Sequence, residues 1–189
     1  MEIIRKIRVK FGYIFSILLI ALSNPRSFFW FWLGAVLAGA GEAMRVWAST
    51  HIVKLDVLTK SGPYSSTRNP LYFGSFLLGC GLLVIAMNAT LAIIYFGIFL
   101  IVYPITIMAE ARELEEKFGA DYREYTQNTP AFFPTLSGLA EAFSDLRSFP
   151  REIASRFKNF IRNREYNGVI ALVITLAFLY YKLKRNSKK

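Results

Sequence analysis

Hydrophobic residues in this chain are gathered into long uncharged blocks rather than spread at amphipathic spacing, and the blocks predict its elements. Leu71 to Met87, 17 residues, and Ala89 to Ala109, 21 residues, contain no Asp, Glu, Lys or Arg. Each is near the length at which a helix crosses about 30 Å of hydrocarbon. Phe28 to Ala48 is also 21 residues but carries Glu42 and Arg45 near its end. Charges at that depth must pair or face a wet cavity, and the segment is predicted as a third span. Phe11 to Leu22 and Gly168 to Tyr181 offer only 12 and 14 uncharged residues. They need local thinning, snorkelling of flanking Lys and Arg, or an interfacial position. A basic stretch, Arg5, Lys6, Arg8 and Lys10, precedes the first of them, as in a signal peptide. Ser23-Asn24-Pro25-Arg26 lacks the small-residue cleavage pattern, so the segment is expected to stay in the mature protein.

Read in order, the blocks predict a hairpin turned at Asn24-Pro25, a polar segment from His51 to Asn69, and a second hairpin joined at Met87-Asn88-Ala89. So short a turn makes its two halves antiparallel neighbours. Pro104 removes a helix hydrogen bond inside the second half and is expected to kink or open it shortly before Glu110. From Glu110 to Gln127 the pattern becomes that of a charged helix leaving the membrane, which Gly119 can end, with Tyr122 and Tyr125 beyond it. Between Leu139 and Ile161, Leu139, Phe143, Leu146, Phe149, Ile153, Phe157 and Phe160 recur at steps of three and four, with Arg147, Arg151, Arg156 and Lys158 among them. That predicts an amphipathic surface helix restarted at Pro150. The chain divides accordingly into a core over 1–134, an amphipathic interfacial region over 135–166, and a C-terminal hydrophobic segment with a basic tail over 167–189. The fold class is all-α: a polytopic integral membrane helical bundle of four to five transmembrane segments.

Charge refines the picture. Lys and Arg number 23 against 13 Asp and Glu, a formal net charge of +10, and much of the excess borders apolar segments. That distribution points to membrane lipids with anionic headgroups rather than to nucleic acid. The positive-inside rule puts the His51 to Asn69 loop and the Glu110 to Asn167 region on the cytoplasmic side, because the Met87 turn has no Lys or Arg. The basic N-terminus agrees with that orientation. Five complete spans would leave Lys182, Lys184, Arg185, Lys188 and Lys189 on the other side, against the rule. Cys80 is the sole cysteine, which rules out an intrachain disulfide, and with no CxxC or His-rich pattern no metal site is expected. His51, also alone, is an interfacial polar residue or an isolated ligand or base.

The densest polar constellation is Gly62-Pro63-Tyr64 followed by Arg68-Asn69-Pro70-Leu71-Tyr72-Phe73-Gly74, at the mouth of an apolar block. Because the second hairpin is antiparallel, Arg68 to Gly74 meets Glu110 at one membrane face. A helix start offers unpaired N–H groups and a positive dipole end to a carboxylate or phosphate, while Glu110 offers an acceptor for an ammonium or a ribose. Gly74 allows close backbone approach. Tyr64 and Tyr72 present faces that favour a cation. A structural reading of the same residues stays open here: Pro70 starts a helix, Arg68 snorkels, and the tyrosines form an interfacial belt.

With those residues in view, the chain resembles the membrane methyltransferase superfamily that includes isoprenylcysteine carboxyl methyltransferases and phospholipid N-methyltransferases. The matching stretch runs from about Gly41 to Pro134. The family pattern Gly-Pro/Val-Tyr, then Arg-His-Pro-x-Tyr-x-Gly, is met by Gly62-Pro63-Tyr64 and Arg68 to Gly74. A second pattern, Glu-Glu-x-x-Leu-x-x-x-Phe-Gly-x-x-Tyr-x-x-Tyr, is met by Glu110, Leu114, Phe118, Gly119, Tyr122 and Tyr125. The resemblance implies a cytoplasmic-side pocket in which S-adenosyl-L-methionine lies beside Tyr64, Asn69, Pro70, Leu71, Tyr72, Gly74 and Glu110. Val57, Leu58 and Thr59 would close over it, and Arg68 and Glu110 would be the catalytic pair. The partner implied is a lipophilic small molecule or lipidated acceptor that enters laterally from the bilayer. The compartment implied is the cell membrane of a prokaryote or the endoplasmic reticulum of a eukaryote.

Three departures bear on the acceptor. Asn69 replaces the usual His, which excludes an imidazole base there. Ala111 replaces the second Glu. Thr106 stands one turn before Glu110, where the prenylcysteine enzymes carry an Arg. Glu42 and Arg45 share a helix face and resemble a Gly-Glu-x-x-Arg element of these enzymes, readable as a structural ion pair or a catalytic one. Two other functions are compatible with the pattern. One is a reductase of sterol-like double bonds using NAD(P)H, since such enzymes resemble this hairpin and its motif, although additional basic residues suited to a 2′-phosphate are lacking near the motif. The other is a lipid-binding scaffold without activity.

Overall fold

The computed structural model describes residues 12, 14–52, 57–145, 149–163 and 165–188, with backbone alone for 145 and 149–155. Arg5 to Lys10, Lys54, Leu146 and Arg147 lie outside the described residues or their side chains. Every regular element among those described is a helix: α1 (14–22), α2 (Phe28–His51), α3 (Pro63–Ser66), α4 (Pro70–Ala86), α5 (Ala89–Phe118), α6 (Ala120–Asn128), α7 (Leu136–Asp145), α8 (Phe149–Arg162) and α9 (Tyr166–Asn186). Two of them, α5 and α9, are long and apolar enough to cross a membrane, and α4 is a shorter apolar helix.

Several boundaries differ from the sequence reading for physical reasons. α5 runs unbroken through Pro104 and continues to Phe118, so the apolar block and the charged segment are one helix of 30 residues. α9 extends well beyond its 14 uncharged residues to 21. It can do so because Lys182, within it, has protein partners: its Nζ donates to the carbonyls of Ile20 and Ser23 at 2.9 and 2.8 Å. The amphipathic stretch from Leu139 to Ile161 forms two helices, α7 and α8, the second starting at Phe149-Pro150. Gly119 has φ 52° and stands between α5 and α6, in the left-handed region that glycine adopts freely.

The chain packs as two units. The first comprises residues 1–41, 76–106 and 169–189. Within it α2 and α4 cross through glycines, since a Cβ added at Gly34 would lie 2.5 Å from Gly81 O. Such small-residue crossings are a device of helices packing in lipid. On α5 an i, i+4 ladder stacks Tyr95 on Phe99 and Phe99 on Tyr103, with centroids 5.6 and 3.9 Å apart. The turn after α1 and the α4–α5 turn meet, through Asn24 N to Ala86 O at 2.9 Å and Asn88 Nδ2 to Leu22 O at 2.9 Å. Asn186 at the end of α9 donates to Pro25 O there, at 3.0 Å. The basic tail therefore shares the end of this unit that carries the uncharged Met87 turn.

The second unit comprises residues 42–75 and 107–168. Its frame is a seam between the 66–69 motif segment and a proline-flanked segment. Arg68 N donates to Pro130 O at 2.9 Å, Thr67 Oγ1 to Phe132 O at 2.9 Å, and Thr135 N to Ser66 O at 3.0 Å. α7 then lies against α3 so closely that a Cβ on Gly138 would be 2.5 Å from Ser66 Cα. Ser65 Oγ closes the contact with a bond to Gly138 O at 3.1 Å.

Candidate active site

The site belongs to the second unit and is built from the first turn of α4, the last third of α5 and the short α3. Pro70, fully buried, starts α4 where its missing N–H is not needed. One turn in, Tyr72 is buried and its hydroxyl donates to Glu110 Oε1 at 2.7 Å. The first motif and the acidic residue of the second thus meet, as the hairpin argument expects. Gly74 is buried behind them on α4.

A second tyrosine pair, Tyr64 and Tyr125, joins α3 to α6. Tyr125 donates its hydroxyl to Tyr64 O at 2.6 Å. The Tyr64 phenol holds its proton well above the ordinary tyrosine range, because of burial first and then the nearby Tyr125, Glu110, Tyr72 and Glu165. Tyr125 is also raised, by burial, against an opposing effect of the Arg68 cation. These influences place Arg68 beside Tyr125 and Glu110 beside Tyr64. Arg68 Nε is buried and has no hydrogen-bond partner among the described residues. A buried guanidinium nitrogen left without an acceptor is costly, so the position is chemically ready for an anion.

The sequence reading looked instead to free N–H groups at the start of α4. Three donors there are engaged: Asn69 N on Thr67 Oγ1 at 3.3 Å, and Tyr72 N and Phe73 N on Asn69 O at 3.0 Å. Asn69 itself is turned toward the seam, with Nδ2 on Ala131 O at 2.8 Å. Its side chain therefore tethers the motif. Leu71 is half-buried and accepts the Ser75 hydroxyl on its carbonyl at 2.8 Å. In the Val57 to Thr59 stretch, Val57 is exposed and Thr59 Oγ1 reaches His51 O at 3.5 Å.

A second charged cluster surrounds Arg45. Glu42 Oε2 lies 3.1 Å from Arg45 Nε, the pair expected from their spacing. Arg45 also donates from Nη2 to Glu165 Oε2 at 2.9 Å and from Nη1 to Ser75 Oγ at 2.6 Å. Sequence reasoning missed Glu165. It is 120 residues away from Arg45, and only its position just before an apolar helix, where an acidic residue suits the dipole, could have marked it. Gly168, one turn into α9, leaves room for Glu42 Oε1, which would lie 2.5 Å from any Cβ there.

The described residues are all-helical, with two apolar helices of membrane length and the Tyr72–Glu110 pair at the start of α4. Residues 13–121 match the family model of the phospholipid methyltransferases, and the chain belongs to that family. Among curated proteins it is 39% identical over 131 residues to the cobalt-zinc-cadmium resistance protein CzcN of Cupriavidus metallidurans, covering 65% of this chain and 57% of that protein. It is 37% identical over 107 residues to the nickel-cobalt-cadmium resistance protein NccN of Alcaligenes xylosoxydans xylosoxydans, covering 56% and 48%. Against the protein-S-isoprenylcysteine O-methyltransferase of Saccharomyces cerevisiae it is 30% identical over 116 residues, covering 55% and 48%. The chain spans about half the length of these curated relatives. No solved structure matches it.

Proposed function

We propose that the protein is an integral membrane methyltransferase that uses S-adenosyl-L-methionine and acts on a lipophilic acceptor, either a phospholipid, a prenylcysteine-like group or another small apolar molecule. Four to five helices cross the membrane, α4 and α5 among them, and the Arg68–Glu110 face is cytoplasmic. The observation that carries the reading is the Tyr72–Glu110 hydrogen bond, with Arg68 Nε, four residues before Tyr72, buried without a partner among the described residues, inside a chain of the phospholipid methyltransferase family.

The residues fit the donor. Arg68 suits a carboxylate, Glu110 an ammonium or ribose hydroxyl, and the faces of Tyr64 and Tyr72 a sulfonium. Asn69, Pro70, Leu71 and Gly74 form the wall beside them, with Val57, Leu58 and Thr59 as the covering segment. When bound, S-adenosyl-L-methionine supplies a methyl group on an already reactive sulfonium. The protein's own task is to hold donor and acceptor in line and to exclude water.

Calorimetric titration of the detergent-purified chain with S-adenosylhomocysteine and with NADPH tests this. Saturable binding of S-adenosylhomocysteine alone is expected. Binding of NADPH alone would replace the proposal with the reductase. Binding of neither would favour a second reading, a membrane scaffold without catalysis, which draws its support from the metal-resistance names of two relatives. Mass spectrometry of lipids exposed to methyl-tritiated donor then identifies the acceptor.

A further inference from the structure

From Arg156 onward, α8 turns polar side chains inward. Arg156 is only 5% exposed, and its Nη1 meets His51 Nε2 at 2.7 Å. Asn159 Nδ2 donates to Thr50 O at 3.0 Å, and Asn163 Nδ2, just past the helix, to Ser49 O at 2.9 Å. The last turn of α2 leaves carbonyls without intrahelical donors, and α8 supplies them. The chemistry also assigns the His51 tautomer. Nδ1 lies 2.9 Å from Trp47 O and must donate, so Nε2 accepts from the guanidinium.

With its donors committed to α2, α8 presents the opposite stripe outward. Phe157 and Ile161, one turn apart, are 63% and 47% exposed, and Lys158 and Arg162 are exposed beside them. A helix that buries an arginine and exposes a phenylalanine is inverted relative to one that faces water. Among the described side chains of α8 this face offers two apolar ones, fewer than a stable dimer needs to bury about 800 Å² on each partner. Apolar residues flanked by cations do match a headgroup layer with anionic lipids. A leaflet is also close by connection: residues 163–165 alone join α8 to α9, a helix of membrane length, and three residues reach at most about 11 Å.

We propose that the Phe157–Ile161 face of α8 is a membrane-docking surface that seats in the headgroup layer of a leaflet containing anionic phospholipid. The proposal rests on α9 lying in the membrane and is independent of methyl transfer.

The test uses the full chain with Cys80→Ala and single nitroxide-labelled cysteines, Phe157→Cys, Ile161→Cys and, as a water-exposed reference on α6, Glu124→Cys. Each is placed in nanodiscs of phosphatidylcholine with and without phosphatidylglycerol. Labels at 157 and 161 should collide with oxygen several-fold more, and with a water-soluble nickel chelate several-fold less, than the label at 124. Lys158→Glu should weaken this contrast in the anionic discs. Three results would overturn the docking face: nickel access at 157 equal to that at 124, dipolar broadening between labels on two molecules, or protection from both collision partners. Phe157→Trp offers an independent reading by brominated-lipid quenching. Emission unchanged from the parent chain in every disc would also count against it.

Discussion

Tyr72 Oη and Glu110 Oε1 lie 2.7 Å apart, joining side chains 38 residues apart at the mouth of the α4–α5 hairpin. A phenol donating to a carboxylate is a charge-assisted bond, and its partners stay in register only if both helices enter at the same level. The pair therefore reports both the fold of the hairpin and the readiness of the site.

If this pair holds the donor, Glu110→Ala should abolish measurable S-adenosylhomocysteine binding. Tyr72→Phe, losing one such bond worth about 1.5–3 kcal/mol, should weaken it roughly 10- to 100-fold. Calorimetry reads the affinity and circular dichroism the helix content, which should not change. Wild-type affinity in both variants would remove the site assignment.

The Arg45 cluster is expected to be structural. The Glu42 side chain is only 6% exposed, so Arg45→Ala strands a buried carboxylate and should destabilise the protein by roughly 3–5 kcal/mol. Glu165→Gln keeps the shape and one acceptor oxygen and should cost about 1 kcal/mol. Thermal unfolding in detergent ranks them, and a reversed order would contradict the geometry.

Close backbone approach makes Gly138 intolerant. An added methyl would strike Ser66 Cα and Ser65 O, so Gly138→Ala should destabilise by about 1–3 kcal/mol. Gly97, with open space around it on α5, is the control, where alanine should be neutral or mildly stabilising. Equal melting temperatures for the two variants would refute the α3–α7 packing.

Alkaline pH should loosen the second unit. Tyr64 and Tyr125 keep their protons above the ordinary phenol value of about 10. A phenol with a raised folded pKa contributes stability that is complete below its unfolded value and is lost as pH climbs toward the folded one. In a spectrophotometric titration these two should ionise late and together with unfolding. Early ionisation without loss of structure would show that they are not enclosed.

Much of this was readable from residue order. The antiparallel hairpin follows from uncharged lengths and the short Met87-Asn88-Ala89 turn, and the meeting of the Arg68 to Gly74 stretch with Glu110 and the Glu42–Arg45 pair follow from helix geometry. Glu165 and the seam of Thr67, Arg68 and Asn69 against residues 130–132 did not follow, because their partners are remote in sequence and mostly backbone carbonyls, which no residue type announces. The inverted α8 escaped for a related reason. Periodicity identifies an amphipathic helix but does not say that the end of α2 would claim its polar side.

The seam also sets a limit on trimming. The match to the family model ends at residue 121, yet the tethers that hold Ser66 to Asn69 reach as far as Thr135, and Gly138 closes the contact behind them. A version shortened to the recognisable family core would keep every residue assigned to the donor and lose the brace that orients them. Transplanting the candidate site into another scaffold therefore requires carrying the proline-flanked 130–134 stretch and the start of α7 along with the motif.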